Sequence, residues 1–181
     1  GRARDHLLRH DRQQAQGLIT HYEIMGLRRG GSKFPMLVAA TRIPGFSEEP
    51  TTIGFVQDNT QRRQIEDKLR QLSRAVEQSP ASIVITDTEG SIEYVNPRFT
   101  QTTGYSVEEV LGQNMRILKT DKTPQGTHST LWATLTAGKE WQGEFVNRKK
   151  NGELYYESAI ISPITDDRGV TTHYLAVKED I

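Results

Sequence analysis

Histidines are the side chains of this sequence whose type and spacing could indicate a metal site. His6 and His10 stand four residues apart, so on a helix they would share one face and could hold a metal ion. Other signs of reactivity are missing from the sequence. It contains no cysteine, Ser-His-Asp order, phosphate-binding glycine loop or convincing carboxylate pair. We therefore interpret His6 and His10 as exposed polar residues, expect His128 and His173 on the surface too, and predict neither a metal site nor an enzyme.

The elements that would position functional residues occur twice in the sequence. Arg28–Phe34 aligns with Lys149–Tyr155, and Phe55–Asp58 aligns with Val177–Asp180, at a spacing of about 121 residues. The turn, the strand and the closing segment that ends in an aspartate all recur in the same order, which indicates two copies of one module in series.

Residues 79–181 have the pattern of a complete module. Alternating strands come first, followed by short helices that begin at Asn96-Pro97, at the capping box of Ser106 and at Thr123-Pro124. The Asn151-Gly152 turn then predicts a hairpin. The predicted strands are Ser82–Asp87, Ile92–Val95, Trp141–Arg148, Leu154–Thr165 and Val170–Asp180. This order predicts an α+β fold, in which short helices cover one face of a five-stranded antiparallel sheet.

Residues 1–59 have the pattern of the C-terminal part of a first copy. We predict a helix over residues 4–16 and strands at Leu18–Arg28, Lys33–Ile43 and Thr52–Asp58. The opening strands of the module are absent, so we expect the chain to be an excerpt from a longer protein.

Residues 60–78 form a predicted linker helix between the two copies. Ile65, Leu69, Leu72 and Val76 recur at spacings of four, three and four, as in the seam of a coiled coil. The helix either dimerises in parallel or packs on its own domain.

Composition excludes other classes of protein. The 23 basic and 23 acidic residues balance, which argues against a nucleic-acid interface. No apolar run reaches transmembrane length, so we expect a cytoplasmic protein without a membrane segment.

The second module resembles a PAS domain of bacterial sensor proteins. The resemblance rests on Arg74–Asn114, Leu131–Ile164 and Thr172–Ile181, and Glu179-Asp180-Ile181 is similar to the Asp-Ile-Thr signature that closes such domains. It implies tandem PAS domains in a signal-transduction protein, a sheet that encloses a cofactor pocket, a homodimer, and an output domain in the same chain, of histidine kinase or diguanylate cyclase type.

Flavin-binding members of the PAS family are the most similar in sequence. They are the light-sensing LOV domains and the FAD-containing redox sensors of nitrogen-fixation and methane-oxidation regulators. Met115 stands where LOV domains carry the photoactive cysteine, so LOV photochemistry is excluded. The resemblance implies FAD or FMN as cofactor. The residues it implies for cofactor binding are Asn114, Arg116, Leu118, Trp132, Trp141, Asn147 and Glu157.

Several alternatives stay open from the sequence. The pocket holds a flavin, another ligand or nothing, and in the last case the chain is a ligand-free dimerisation and transmission module. Trp132 and Trp141 are either flavin neighbours or core residues. Glu157 replaces an asparagine of LOV pockets, and Lys178 replaces a glutamine. The Glu157 carboxylate either couples proton uptake to flavin reduction, or points outward or pairs with Lys178.

Overall fold

The computed structural model describes residues 20–43 and 51–181. The predicted helix over residues 4–16, with His6 and His10, lies outside the described residues. The chain divides into two compact units, residues 1–70 and 71–181.

The first unit contains an antiparallel sheet with the strand order β1-β2-β3. Strands β1 (Thr20–Leu27) and β2 (Lys33–Ile43) are joined by a tight turn, and β3 (Thr51–Asp58) pairs with β2. Large apolar side chains of this sheet, including Met25 and Phe55, are exposed. The three strands agree with the predicted meander.

Helix α1 (Thr60–Glu77) follows β3. The carboxylate of Asp58 accepts the backbone N–H of Thr60 at 2.9 Å and so satisfies one of the free N–H groups at the start of the helix. The helix buries none of its residues, and Ile65, Leu69 and Leu72 are each more than half exposed. The predicted apolar seam is therefore present and open to solvent, whereas its pairing with a second helix stays a prediction.

The second unit is built on a five-stranded antiparallel sheet with the order β5-β4-β8-β7-β6. Short helices lie between β5 and β6 in sequence, and their apolar side chains form one core with the sheet. The strands are β4 (Ser82–Asp87), β5 (Ile92–Val95), β6 (Trp141–Arg148), β7 (Leu154–Thr165) and β8 (Thr171–Asp180). The helices are α2 (Pro97–Thr103), α3 (Val107–Val110), a 3₁₀ helix (Met115–Leu118) and α4 (Thr127–Thr136). This architecture confirms the predicted α+β fold.

Helix α4 begins later than the sequence indicated. Gly126, at φ 90°, adopts a left-handed conformation that cannot belong to a right-handed helix, so the helix begins at Thr127. The preceding Thr123 donates its hydroxyl to the Val146 carbonyl at 2.9 Å, which fastens the segment before α4 to β6. Thr123-Pro124 is thus a turn beside the sheet rather than a helix start.

Asn96 joins the helices to the sheet. Its side chain is fully buried, caps α2 by accepting the Phe99 N–H, and also accepts the Ile83 N–H at 2.9 Å. Its amide donates to the carbonyls of Val76 and Ala81. The predicted cap at Asn96 is confirmed, and it ties α2 to the start of β4.

Candidate functional site

The second unit encloses a cavity of about 410 Å³ between the sheet, the 3₁₀ helix and α4. This volume lies within the range of roughly 300–1,000 Å³ found for small-molecule sites. Its apolar wall comes mainly from Val84, Leu131, Leu135, Phe145, Ile161 and Ala176. Its polar residues include Asn114, Arg116, Lys119, His128, Asn147 and Lys178. An apolar cavity with a few converging polar groups is typical of a ligand site.

Asn114 organises one side of the cavity. Its Nδ2 donates to the Glu89 carbonyl at 2.8 Å, and its Oδ1 accepts the Arg116 backbone N–H and the Arg116 Nε–H. Gly90 has φ 85°, and a Cβ there would lie 3.2 Å from the Asn114 amide and 3.5 Å from the Trp132 ring. Asn114 therefore holds the Glu89-Gly90 turn against the 3₁₀ helix, and most of its hydrogen-bonding capacity is used within the protein.

A buried ion pair lies beside the cavity, on the strands of the sheet. Lys178 Nζ donates to Glu157 Oε1 at 2.6 Å, and Asn147 Nδ2 donates to the same oxygen at 2.7 Å. The exposed fractions of Glu157 and Lys178 are 3% and 5%. The three residues come from β7, β8 and β6, at register positions where neighbouring side chains share a face. Of the alternatives for Glu157, the structure shows the pair with Lys178.

Tyr155 lies beside this ion pair. Burial, followed by the negative charge of Glu157, raises the pKa of the Tyr155 hydroxyl well above its ordinary value. The phenol therefore stays protonated across the physiological pH range.

His128 faces the cavity, so the prediction that it lies on the surface is wrong. Its imidazole stacks on Phe145, with ring centroids 5.6 Å apart. The sequence does carry a signal for this inward position of His128. Leu131, Trp132 and Leu135 follow it by three, four and seven residues, which is the spacing of one helix face. This spacing places all four side chains on one face of α4.

The structure brings four of the predicted cofactor-binding residues to the cavity. Asn114, Arg116, Trp132 and Asn147 line it. Leu118 does not, because it is buried in the core with 1% exposure. Trp141 packs behind the wall, against Phe145 at 5.1 Å between ring centroids. Glu157 is held behind Asn147 and Lys178. Leu118, Trp141 and Glu157 therefore do not line the cavity.

Trp132 forms part of the rim. It is 38% exposed and meets Tyr174 edge to face, with the ring centroids 5.8 Å apart. Met115 lines the same cavity. The chain has no cysteine, so it cannot form a cysteine adduct with a flavin.

Other kinds of site find no counterpart in the described part of the chain. Within residues 20–43 and 51–181, no three His, Asp or Glu side chains are arranged to hold a metal ion. Within the same ranges, no helix is both long and apolar enough to cross a membrane.

An antiparallel sheet and a layer of short helices that together enclose a ligand-sized cavity define an α+β domain with a candidate small-molecule site. The family model described as PAS domain matches residues 80–181. The chain therefore belongs to the PAS domain family, and its second unit is a PAS sensory domain of the kind present in signalling proteins.

Relatives and solved structures agree with this assignment. The nitrogen fixation regulatory protein of Klebsiella oxytoca is 38% identical over 106 residues, which cover 59% of this chain and 21% of the relative. The chain thus spans about a fifth of the length of that relative.

Two solved LOV domains have the same fold. One, studied with a flavin analogue, is 26% identical with a TM-score of 0.57, covering 61% of this chain and 84% of that chain. The other comes from the blue-light activated histidine kinase of Erythrobacter litoralis. It is 27% identical with a TM-score of 0.54, covering 57% of this chain and 98% of that chain.

Proposed function

We propose that this chain is the sensory input and relay part of a bacterial signalling protein of the histidine kinase or diguanylate cyclase type. In this proposal the second PAS domain senses redox state through bound FAD or FMN, and the chain itself catalyses no reaction. The observation that carries the proposal is the cavity of about 410 Å³ inside a PAS domain similar to LOV domains.

The residues at the cavity fit a flavin. Aliphatic side chains and the aromatic rings of Trp132, Phe145 and Tyr174 offer apolar surface for a planar ring system. Asn147 and His128 line the same space, and the buried Nε2 of His128 has no hydrogen-bond partner among the described residues. A bound flavin would supply reversible two-electron redox chemistry, while the protein binds the ring and responds to its charge.

The relay follows from the position of Lys178. It lines the cavity and lies on β8, whose last residue is Asp180. A change of charge in the cavity alters the interaction of Lys178 with Glu157 two residues before the end of this strand. We infer that the change shifts the population between two arrangements of the domain and reaches whatever follows β8.

An absorption spectrum of the purified protein tests the proposal. We expect structured blue bands that bleach with dithionite, and acid should release FAD or FMN from the protein. Asn147→Ala should weaken flavin retention or shift its potential. Gln142→Ala, an exposed amide of the same strand, should change neither. Full retention with an unchanged potential in Asn147→Ala would refute the role of Asn147.

A ligand-free dimerisation and transmission module is the second candidate function. The exposed apolar seam of α1 favours it, because Ile65, Leu69 and Leu72 remain 53–61% exposed. Protein that stays colourless after incubation with both FAD and FMN would support this candidate and reject flavin sensing.

A further inference from the structure

His128 carries an unsatisfied buried polar atom beside the cavity. Its Nε2 is buried and has no hydrogen-bond partner among the described residues, although the residue lines the cavity wall. Buried polar atoms normally have a partner, and an exception at a cavity points to a ligand that provides it. A neutral imidazole can offer either a donor or an acceptor at this nitrogen, depending on its tautomer.

The charges around His128 are positive. Lys119, which follows the 3₁₀ helix, and Lys178, on β8, both act on the imidazole. Burial, followed by these two charges, lowers the pKa of His128 below its ordinary value, so the ring is neutral near pH 7. Within the described residues no carboxylate lines the cavity. The nearby Glu157 is already shared by Lys178 and Asn147.

Arg116 adds a third positive group to the cavity lining, and the remaining groups that line it near the imidazole carry no charge. From β6 these are Phe145, on which the ring stacks, and Asn147. A negative charge brought into this part of the cavity would therefore meet two ammonium groups and a histidine that can accept a proton.

We propose that His128 contacts the flavin directly and takes up a proton when the flavin is reduced, so that the cavity holds the reduced ring as an anion. This inference rests on the flavin function proposed above. Dithionite, the reductant of the test below, gives two electrons to the flavin, and two protons come from the solvent, one to a ring nitrogen and one to His128. An N–H bond forms on His128, and no covalent bond forms between the flavin and the protein.

The physical reason is the reversal of the electrostatics at His128. With a neutral oxidised ring, the two lysines disfavour a third positive charge. An anionic ring in contact places a negative charge close to His128, and this charge favours the protonated imidazolium over the neutral imidazole. The lysines favour the anion as well, so the protein binds the reduced form more tightly. For a two-electron couple, each tenfold preference for the reduced form raises the potential by about 30 mV.

The test is the midpoint potential of the flavin-loaded protein, measured with dithionite titration across the pH range in which histidines titrate. Wild type is compared with His128→Gln, which keeps a polar group but cannot titrate there, and with His128→Phe, which keeps the stacking. His173→Gln is the matched control, since His173 contacts Glu93 away from the cavity. Far-UV circular dichroism confirms that each variant is folded.

We expect the midpoint potential to fall as the pH rises in every protein. The fall should be steeper in wild type and His173→Gln than in the two His128 variants. The difference should be about 30 mV per pH unit, which corresponds to one proton per two electrons. We also expect His128→Phe to weaken flavin binding about tenfold, since the lost hydrogen bond is worth roughly 1.4 kcal/mol.

Equal pH slopes in all four proteins would overturn the assignment of His128 while leaving flavin sensing intact. A wild-type protein that takes up neither FAD nor FMN would overturn both, and this result differs visibly from the first because the protein stays colourless. Should His128→Phe fail to fold, the slope of His128→Gln decides the question.

Discussion

Removing one partner of the Glu157–Lys178 pair should destabilise the second PAS domain strongly, whereas removing both should not. Both side chains are almost fully buried, at 4% and 5% side-chain exposure. Breaking a buried ion pair from one side costs about 3–5 kcal/mol, because the remaining charge has neither water nor a partner. Replacing both partners with apolar residues of similar volume is often nearly neutral.

The contacts allow the two single substitutions to be ranked. Lys178→Met leaves the Glu157 carboxylate with the Asn147 amide as a donor at 2.7 Å. Glu157→Leu removes the acceptor of both Lys178 and Asn147, so two buried donors lose their partner. We expect Lys178→Met to cost about 3–4 kcal/mol and Glu157→Leu to cost about 5 kcal/mol or more.

The double variant Glu157→Leu/Lys178→Met leaves one unpaired group, the Asn147 amide. An unsatisfied buried donor costs about 1–3 kcal/mol, and the gain in apolar burial offsets part of this. We therefore expect the double variant to lie within about 2 kcal/mol of wild type, which gives a coupling energy of several kcal/mol in the double-mutant cycle.

Urea denaturation followed by tryptophan fluorescence measures these free energies. Both tryptophans, Trp132 and Trp141, lie in the second unit, so the signal reports that unit. Lys149–Glu153 is a matched control pair, with the same residue types at 2.9 Å but more exposed side chains. The corresponding Met and Leu substitutions there should each cost at most about 1 kcal/mol. Single substitutions in the buried pair that cost no more than this control, or a double variant that equals their sum, would refute the reasoning.

The remaining predictions concern pH and association. Stability of the flavin-free protein should fall as the pH drops below about 6.5, because His128 binds a proton more readily in the unfolded chain, where its pKa is not lowered. His128→Gln should lessen this fall in urea titrations at several pH values, and an unchanged pH profile would contradict the burial of the imidazole. Leu69→Lys, in the open seam of α1, should convert a dimer to a monomer in analytical ultracentrifugation if the linker helices pair, whereas Arg70→Glu, on a charged face, should not. A wild-type protein that is monomeric at high concentration would refute pairing through this seam.

Local signals in the sequence were sufficient to predict the fold. The cap at Asn96, the capping box in which Glu109 accepts the Ser106 N–H at 2.9 Å, and the Asn-Gly turn with Gly152 at φ 90° each act within a few residues. Alternation of apolar residues gave the strands. The start of α4 was misplaced because Thr123-Pro124 resembles a helix start, and only the contact of Thr123 with β6 shows otherwise.

The site was less predictable, because its chemistry depends on which strands are neighbours. Whether Glu157 is paired is decided by the register of β7 against β8, which places Lys178 opposite Ala159 on the same face as Glu157. Residues 21 apart in sequence give no periodic signal of such a contact. The position of His128 could have been predicted, because its spacing to Leu131 and Leu135 is that of one helix face. The prediction of a surface position followed instead from the usual exposure of polar histidines.

The location of the buried charges is itself an argument for function. Among the described residues, Glu157 and Lys178 are the buried side chains that carry full charge, and Lys178 lines the cavity. A buried ion pair is weak evidence for stability, since apolar residues at the same positions would often do as well or better. Sequences that specify a fold consistently tend to break such rules at functional sites. A domain that only had to fold and dimerise would have no use for an ammonium group at its internal cavity. A domain that must respond to a change of charge there would need one.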